Sequence, residues 1–230
     1  MGILKQKQEQ ESITQDNQLI EACYTMTLNE KRLLMLAISK INPMDFPKLS
    51  EPLRCKVTTG DWLECFASAN AYRDMQIATK AIRQRAIRLH PSIGIEEEIN
   101  WLEKAVYNKN NSSIELVFTR SIQVRLQGLL ENFTTIPILN VGKLKSIYGI
   151  RLYELLMQFK TTGFRQISIE DFRIAMDCVD RYPATKNLKQ KILAPALSDL
   201  EKNNDMKVKV EDIKIGRKIV AFKFTFKKGF

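Results

Sequence analysis

The chain lacks the side chains from which most metal and redox sites are built. Its 230 residues include a single histidine, His90, and four cysteines, Cys23, Cys55, Cys65 and Cys178. No two of these cysteines form a C-x-x-C pair, so Cys/His spacing typical of zinc sites is missing. We therefore predict no metal and no other cofactor. Scattered, unpaired cysteines are typical of proteins from a reducing cytosol.

Long apolar runs and nucleotide-binding loops are missing as well. Without a run of about 18 apolar residues, no membrane-spanning helix and no membrane partner are expected. The polar N-terminus MGILKQKQEQESITQDN has no apolar signal core, so we expect a cytoplasmic protein in which residues 1–16 form a flexible arm. Neither G-x-x-x-x-G-K-[ST] nor G-x-G-x-x-G occurs, and a DNA-nicking enzyme would need clustered histidines. The prediction is a protein without catalytic activity.

Positive charge is abundant and unevenly distributed. The net charge is +10. Residues 1–130 contain 17 Lys+Arg and 15 Asp+Glu, a net of +2, whereas residues 131–230 contain 19 and 11, a net of +8. Such an excess indicates a polyanionic partner, with nucleic acid ahead of an anionic membrane surface. A basic surface without a specific partner is the alternative.

Apolar periodicity predicts the same order of elements twice: helix, strand, short helix, longer helix and β-hairpin. The first copy is predicted at residues 27–42, 53–57, 59–66, 71–87 and 99–118, with the first strand of its hairpin at residues 99–107. Thr27 and Glu30 predict a capping box at its first helix, and Thr59 is the expected cap of its short helix. The second copy is predicted at residues 142–159, 166–169, 168–176, 185–201 and 206–226. Gly149 is expected to bend the first of these helices or to separate two helices. A hairpin that follows a helix in this way is a wing. We therefore predict an α+β, mainly helical fold of two tandem winged-helix domains, at residues 17–131 and 132–230.

The last long helix, predicted to begin with Thr185 as its cap, carries cations near its N-terminus. Lys186, Lys189 and Gln190 lie opposite an apolar stripe. Residues at this end of a helix read bases in the major groove, where Lys pairs with guanine and Gln with adenine. Pro195 predicts a kink that leaves residues 186–191 as a separate, exposed segment. A solvated basic face is the alternative.

The tip of the second hairpin carries two adjacent cations, Arg217 and Lys218, after Gly216. Glycine permits the positive φ of a tight turn, and the cations are placed to contact phosphates. The alternative is that these charges only keep the tip solvated.

The long helix of the first copy carries a polar stripe opposite its apolar one. Its members are Arg73, Gln76, Lys80, Arg83 and Gln84. Their spacing puts them on one face of a helix, which predicts a second recognition helix. A solvated stripe is the alternative, because this half of the chain is nearly neutral.

Three stretches together resemble the iteron-binding plasmid replication initiators that have two winged-helix domains. They are residues 24–34 (YTMTLNEKRLL), residues 145–156 (KSIYGIRLYELL), and a third that runs from Tyr182 through residues 188–196 (LKQKILAPA) to residues 216–218 (GRK). Several spaced stretches in the right order are more specific than any one of them.

The resemblance implies binding to direct repeats in double-stranded origin DNA, opening of adjacent AT-rich DNA, and recruitment of the host initiator and helicase. It also implies a homodimer, formed through the first domain, that represses its own gene. The resemblance assigns major-groove recognition to the second domain, at Lys186, Lys189, Gln190 and Lys191. It assigns contact with the DNA backbone or a second groove to the first domain. Chaperones are a further candidate partner. Some relatives have Arg at these positions, which leaves the base preference open.

A dedicated dimeric repressor of the same fold is the alternative function. Two modules on one face of a duplex would reach major grooves one helical turn apart and protect about 20 bp.

Overall fold

The computed structural model describes residues 12–42, 47–92, 95–127 and 133–227. The chain divides into two compact units. Unit 1 comprises Met1–Leu19 and Tyr24–Lys143, and unit 2 comprises Ile20–Cys23 and Leu144–Phe230. Among the described residues, no helix is both long and apolar enough to cross a bilayer.

Helices and strands are mixed in the chain as far as Lys143. In chain order they are β1 (Ser12–Asp16), α1 (Asn17–Glu21), α2 (Leu28–Ser39), β2 (Arg54–Thr58), α3 (Thr59–Cys65), α4 (Ala71–Ile82), β3 (Ala86–Ser92), β4 (Ile95–Asn100), β5 (Leu102–Asn108), β6 (Ser113–Phe118), α5 (Arg120–Gln127), β7 (Phe133–Pro137) and α6 (Ile138–Lys143). Strands β5 and β6 form the predicted wing, and β2 pairs with β6 to give an antiparallel sheet of order β2-β6-β5.

Capping boxes start two helices of unit 1. The box predicted at Thr27 and Glu30 is confirmed, because each side chain bonds to the other residue's backbone N–H. The cap of α3 is Thr58 rather than the predicted Thr59. Thr58 and Asp61 close this second box, since the Asp61 carboxylate accepts the Thr58 N–H at 2.7 Å. Both boxes satisfy N–H groups that a helix start otherwise leaves unpaired.

The predicted arm at residues 1–16 is wrong for its last part. Residues 12–16 are strand β1, which pairs antiparallel with β7. Ile13 and Gln15 are buried there, so every second side chain enters the core. Residues 1–11 lie outside the described residues, as does the predicted domain boundary at 131/132. The units instead change at Lys143, and residues 20–23 belong to unit 2.

Two other expectations in unit 1 are corrected. The strand predicted from residue 99 to 107 is interrupted at Trp101, so that β4 pairs with β3 and β5 pairs with β6. Trp101, which lies between the two strands, is buried with its ring edge-on to Tyr24. The helix predicted over residues 71–87 ends at Ile82, because the chain from Ala86 pairs with β4 as strand β3.

Unit 2 repeats the order of elements from α2 to β6 of unit 1, without the β3–β4 hairpin. Its elements are α7 (Ile147–Met157), β8 (Phe164–Ser168), α8 (Ile169–Ala175), α9 (Thr185–Leu188), a π-helical turn (Lys189–Leu193), α10 (Ala194–Asn204), β9 (Val208–Ile215) and β10 (Lys218–Phe226). The sheet has the antiparallel order β8-β10-β9, with β9–β10 as the wing. Both units are therefore winged helices, as predicted.

Buried polar side chains hold the start of α7 against α10. The helix predicted over residues 142–159 is interrupted before Ser146, which caps α7. The Asp199 carboxylate accepts the backbone N–H groups of Lys145 and Ser146 and the Ser146 hydroxyl at 2.7–3.1 Å. A Cβ at Gly149 would lie 2.2 Å from an Asp199 oxygen. Gly149 therefore permits a close approach to Asp199. It lies within α7 and does not separate two helices, because the interruption lies before Ser146.

Removing the Asp199 carboxylate tests this junction. Asp199→Ala leaves the backbone N–H groups of Lys145 and Ser146 without their carboxylate acceptor. Since hydrogen bonds to a charged group are lost, we expect the free energy of unfolding to fall by about 1.5–3 kcal/mol. Urea unfolding followed by circular dichroism measures it. The matched control is Glu201→Ala, an exposed acid on the same helix, for which a change within about 0.5 kcal/mol is expected. Equal losses for the two variants would contradict the role given to Asp199.

Candidate nucleic-acid interface

One face of the helical segment that runs through residues 185–204, called the basic helix below, is buried in unit 2. Its buried apolar side chains are Leu188, Ile192, Leu193, Ala196 and Leu200. This burial fixes the rotation of the helix about its axis. Of the predicted reading residues, Lys186, Gln190 and Lys191 are exposed and Lys189 is half-buried. The predicted division between an apolar and a basic face therefore describes the structure.

Pro195 lies within the basic helix, and the chain continues past it. Just before Pro195, a π-helical turn spans Lys189–Leu193, and the Ala194 N–H donates to the Lys189 carbonyl oxygen. A wide turn of this kind lets a helix pass a proline, which has no N–H and needs room for its ring. Residues 186–191 are thus continuous with α10 rather than a separate segment. The N-cap is Ala184 rather than the predicted Thr185, and its side chain forms no capping bond.

Arg173 on α8 fixes the turn that leads into the basic helix. Its guanidinium donates to the carbonyl oxygens of Arg181, Tyr182 and Pro183 at 2.7–3.0 Å. Tyr182 adopts a positive φ of 56°, a conformation that these bonds help to hold. Arg173 therefore sets where the first turn of the basic helix begins. This role could not be predicted from the sequence, because Arg173 lies 8–10 residues before the carbonyl groups that it contacts.

One aromatic and one basic side chain, Tyr148 and Arg181, lie next to that turn. Burial raises the pKa of the Tyr148 phenol above its ordinary value, and the nearby Arg181, which hydrogen-bonds to it, works in the opposite direction. Tyr148 therefore stays protonated at neutral pH and Arg181 keeps its full positive charge.

Lys189 forms an ion pair within unit 2. Its Nζ lies 2.9 and 2.8 Å from the two carboxylate oxygens of Asp212 on wing strand β9. By contrast, Lys186 and Lys191 form no ion pair with any residue that the structure describes. The four predicted reading residues therefore share one helix but differ in electrostatic state.

The wing tip of unit 2 is a two-residue turn. Ile215 pairs with Lys218, and Gly216 and Arg217 lie between them. Gly216 has a φ of +60°, which suits the first position of a type II′ turn and confirms the predicted reason for glycine. Arg217 and Lys218 are exposed, as is Ile215. The turn thus presents two cations and an apolar side chain to solvent.

The predicted stripe on unit 1 is only partly helical. Arg73 and Lys80 are exposed on α4 and Gln76 is half-buried there. Arg83 and Gln84 lie in the turn after the helix, because α4 ends at Ile82. The expectation that all five share one helix face is therefore wrong.

The surroundings of this stripe are less basic than the sequence suggests. Arg85 forms an ion pair with the buried Glu30, at 3.2 Å between Nε and Oε2. Burial raises the pKa of Tyr107 on the wing strand β5, and the positive charge of Arg83 partly offsets this effect. Ile77, which the sequence analysis did not single out, is 58% exposed on α4 between the two cations of the helix. Its exposure could have been predicted from the sequence, because Ile77 is an apolar residue that does not fit the spacing of the buried residues of α4.

In the described parts of the chain, no group of three or more His, Cys, Asp or Glu side chains could hold a metal ion.

Comparison with known families identifies both units. Residues 12–157 match the family model described as "Initiator Replication protein, WH1", and residues 168–226 match "Initiator Rep protein, WH2". The chain belongs to the initiator replication protein family. The resemblance inferred from the sequence is thereby confirmed, and so are the two winged-helix units.

Relatives of this initiator family member include two curated Escherichia coli proteins. One is a "Replication initiation protein", 26% identical over 207 residues, which cover 85% of this chain and 63% of that protein. The other is an "Uncharacterized 27.6 kDa protein", 28% identical over 162 residues, which cover 66% of this chain and 68% of that protein. The chain therefore spans less than two thirds of the length of the first relative.

A solved structure has the same fold. The crystal structure of the Pi initiator protein in complex with iteron DNA matches with a TM-score of 0.79 at 20% identity, covering 95% of this chain and 97% of that one.

The stretches that carried the family resemblance have structural roles in this initiator family member. Residues 24–34 contain the Thr27–Glu30 capping box. Residues 145–156 contain Arg151, which is buried and donates to the carbonyl oxygens of Ala22 and Ala175 at 2.6–2.9 Å. Only the stretch at residues 188–196 lies on the basic helix.

The wing tip yields a direct test. Arg217→Ala removes an exposed cation, so we expect binding to every duplex to weaken by a similar factor and the slope of log K against log salt to fall by about 1. Fluorescence anisotropy titrations over a salt series measure both quantities. The control is Lys202→Ala, an exposed cation in the last turn of the basic helix. A loss confined to one DNA sequence would contradict a phosphate contact.

Proposed function

We propose that this protein is a plasmid replication initiator that binds direct repeats in origin DNA through its two winged helices. It then promotes opening of the origin and recruits the host initiator and helicase, and as a dimer it represses its own gene. It acts through binding alone, without a catalytic step. In this proposal unit 2 reads the major groove, and unit 1 contacts the backbone or a second groove and mediates dimerisation.

One observation carries the proposal: the basic helix of unit 2 buries its whole apolar face and presents Lys186, Gln190 and Lys191 to solvent beside a cationic wing. A helix held in this way fits the major groove, where the side chains of its first turns meet base edges. The wing cations are suited to the flanking phosphates. The net charge of +8 on residues 131–230 supports the same assignment.

The comparisons support the choice of DNA. Family membership favours replication initiation, and the matching Pi initiator structure contains iteron DNA. On unit 1, Arg73, Gln76 and Lys80 are the proposed contacts from α4, with Arg83 and Gln84 from the following turn. Since Arg85 is neutralised by Glu30, we assign the weaker, less sequence-dependent contacts to this unit.

Footprinting tests the binding mode. We expect protection of tandem direct repeats beside the gene, over about two helical turns for each bound monomer. Protection of a single palindrome without direct repeats would favour the dedicated repressor. Transformation then tests replication: the gene with its adjoining repeats should sustain a plasmid that has no other origin, whereas a dedicated repressor would not.

A single substitution tests the reading role of the basic helix. We expect Lys189→Ala to reduce binding to the repeat by about 1–3 kcal/mol, because a base contact is lost, and to change binding to a scrambled duplex far less. Anisotropy titrations of both duplexes at one salt concentration measure this. Arg217→Ala is the comparison, since it should weaken both duplexes alike. Unchanged binding of Lys189→Ala to the repeat would remove Lys189 from the reading set.

A further inference from the structure

An acidic side chain reaches the basic helix from the wing. The sequence has no Asp or Glu between Arg181 and Lys191, so the helix start carries no acid of its own. Asp212, 23 residues after Lys189, supplies one from strand β9. A carboxylate on a surface that binds a polyanion weakens that binding. The position of Asp212 beside the basic helix therefore suggests that it has a separate role.

The pair is well formed and partly shielded from water. Lys189 Nζ contacts both Asp212 oxygens, at 2.9 and 2.8 Å, and the side chains are 40% and 22% exposed. Lys189 also lines a groove between the basic helix and the wing, whose apolar side includes Leu193, Val210 and Ile219. Apolar surroundings strengthen an ion pair relative to one in open solvent.

The geometry limits what Lys189 can do. An ammonium group has three hydrogens, and the two contacts with Asp212 leave one for another acceptor. A guanine edge can accept this third hydrogen while the ion pair persists. A phosphate group, in contrast, gains the full charge of Lys189 only if it displaces Asp212.

We infer that Asp212 is a specificity-determining positioning residue that withholds Lys189 from the phosphate backbone and orients it toward a base edge. This inference rests on the proposed DNA-binding function and deepens it. Asp212 lowers non-specific affinity more than specific affinity, and so raises the ratio between them. Asp212 need not contact DNA itself, because it acts through the side chain of Lys189.

The chain provides a matched control next to Asp212. Glu211 has the same charge but lies on the opposite face of β9, where it pairs with the exposed Lys209 at 2.8 Å. Asp212→Asn and Glu211→Gln therefore change the net charge equally. Only the first releases Lys189.

The experiment compares a repeat-bearing duplex with a scrambled duplex of equal length, by anisotropy over a salt series. For the scrambled duplex, we expect Asp212→Asn to raise affinity about fivefold more than Glu211→Gln does, which is the effect of freeing one partly exposed ion pair. Its salt slope should steepen by about 0.9, for one added phosphate contact. Affinity for the repeat should rise by no more than it does for Glu211→Gln, so the ratio falls about fivefold.

The double variant Lys189→Ala/Asp212→Asn completes the test. Without Lys189, the effect of Asp212→Asn on the scrambled duplex should shrink to that of Glu211→Gln. An equal rise for Asp212→Asn and Glu211→Gln would overturn the inference, and so would an excess that persists without Lys189. A loss of affinity for both duplexes would also overturn it, because it would reveal a structural role. Failure of the wild-type protein to prefer the repeat would instead contradict the proposed function, while the scrambled-duplex comparison still decides whether Asp212 restrains Lys189.

Discussion

The rotation of the basic helix about its own axis is the constraint on which the candidate interface depends. Leu188, Ile192 and Leu200 are buried, and no other rotation would remove all of them from water. Burial of each such side chain contributes about 1.5–3 kcal/mol, more than an exposed cation gains from any surface contact. The hydrophobic core therefore decides which polar residues face solvent, and the π-helical turn at Lys189–Leu193 keeps the helix continuous despite Pro195.

Side chains that bond to the backbone fix the position of this helix along the chain and within the unit. Arg173 gathers the carbonyl oxygens of the turn before it, and Asp199 ties its second half to the start of α7. Buried Arg151 satisfies carbonyl oxygens of Ala22 and Ala175 in the same unit. Backbone groups buried without partners are costly, so such side chains are hard to replace. This explains why stretches that identify the family include residues remote from the basic face.

The two units use the same architecture with different electrostatics. In unit 2, exposed cations lie at the start of the basic helix and at the wing tip. Within the predicted reading set, Lys189 is paired with an acid of the wing. In unit 1, Glu30 neutralises Arg85, and the polar stripe is shortened by the end of α4 at Ile82. A shared fold thus carries two surfaces of different charge density. This difference is the basis for the proposal that unit 2 reads the DNA sequence.

The sequence by itself determined the features that depend on neighbours a few residues away. The 3.6-residue apolar period of the basic helix, the Thr27–Glu30 capping box and the glycine turn before Arg217 could all be predicted, because their causes are local. Only the tertiary structure decided which cations are free: Asp212 is 23 residues from Lys189, and Glu30 is 55 residues from Arg85. The same holds for β1. It is a strand because it pairs with β7, which lies more than 100 residues later in the chain. Such pairings follow from how the core brings distant segments together, and no local pattern of side chains encodes them.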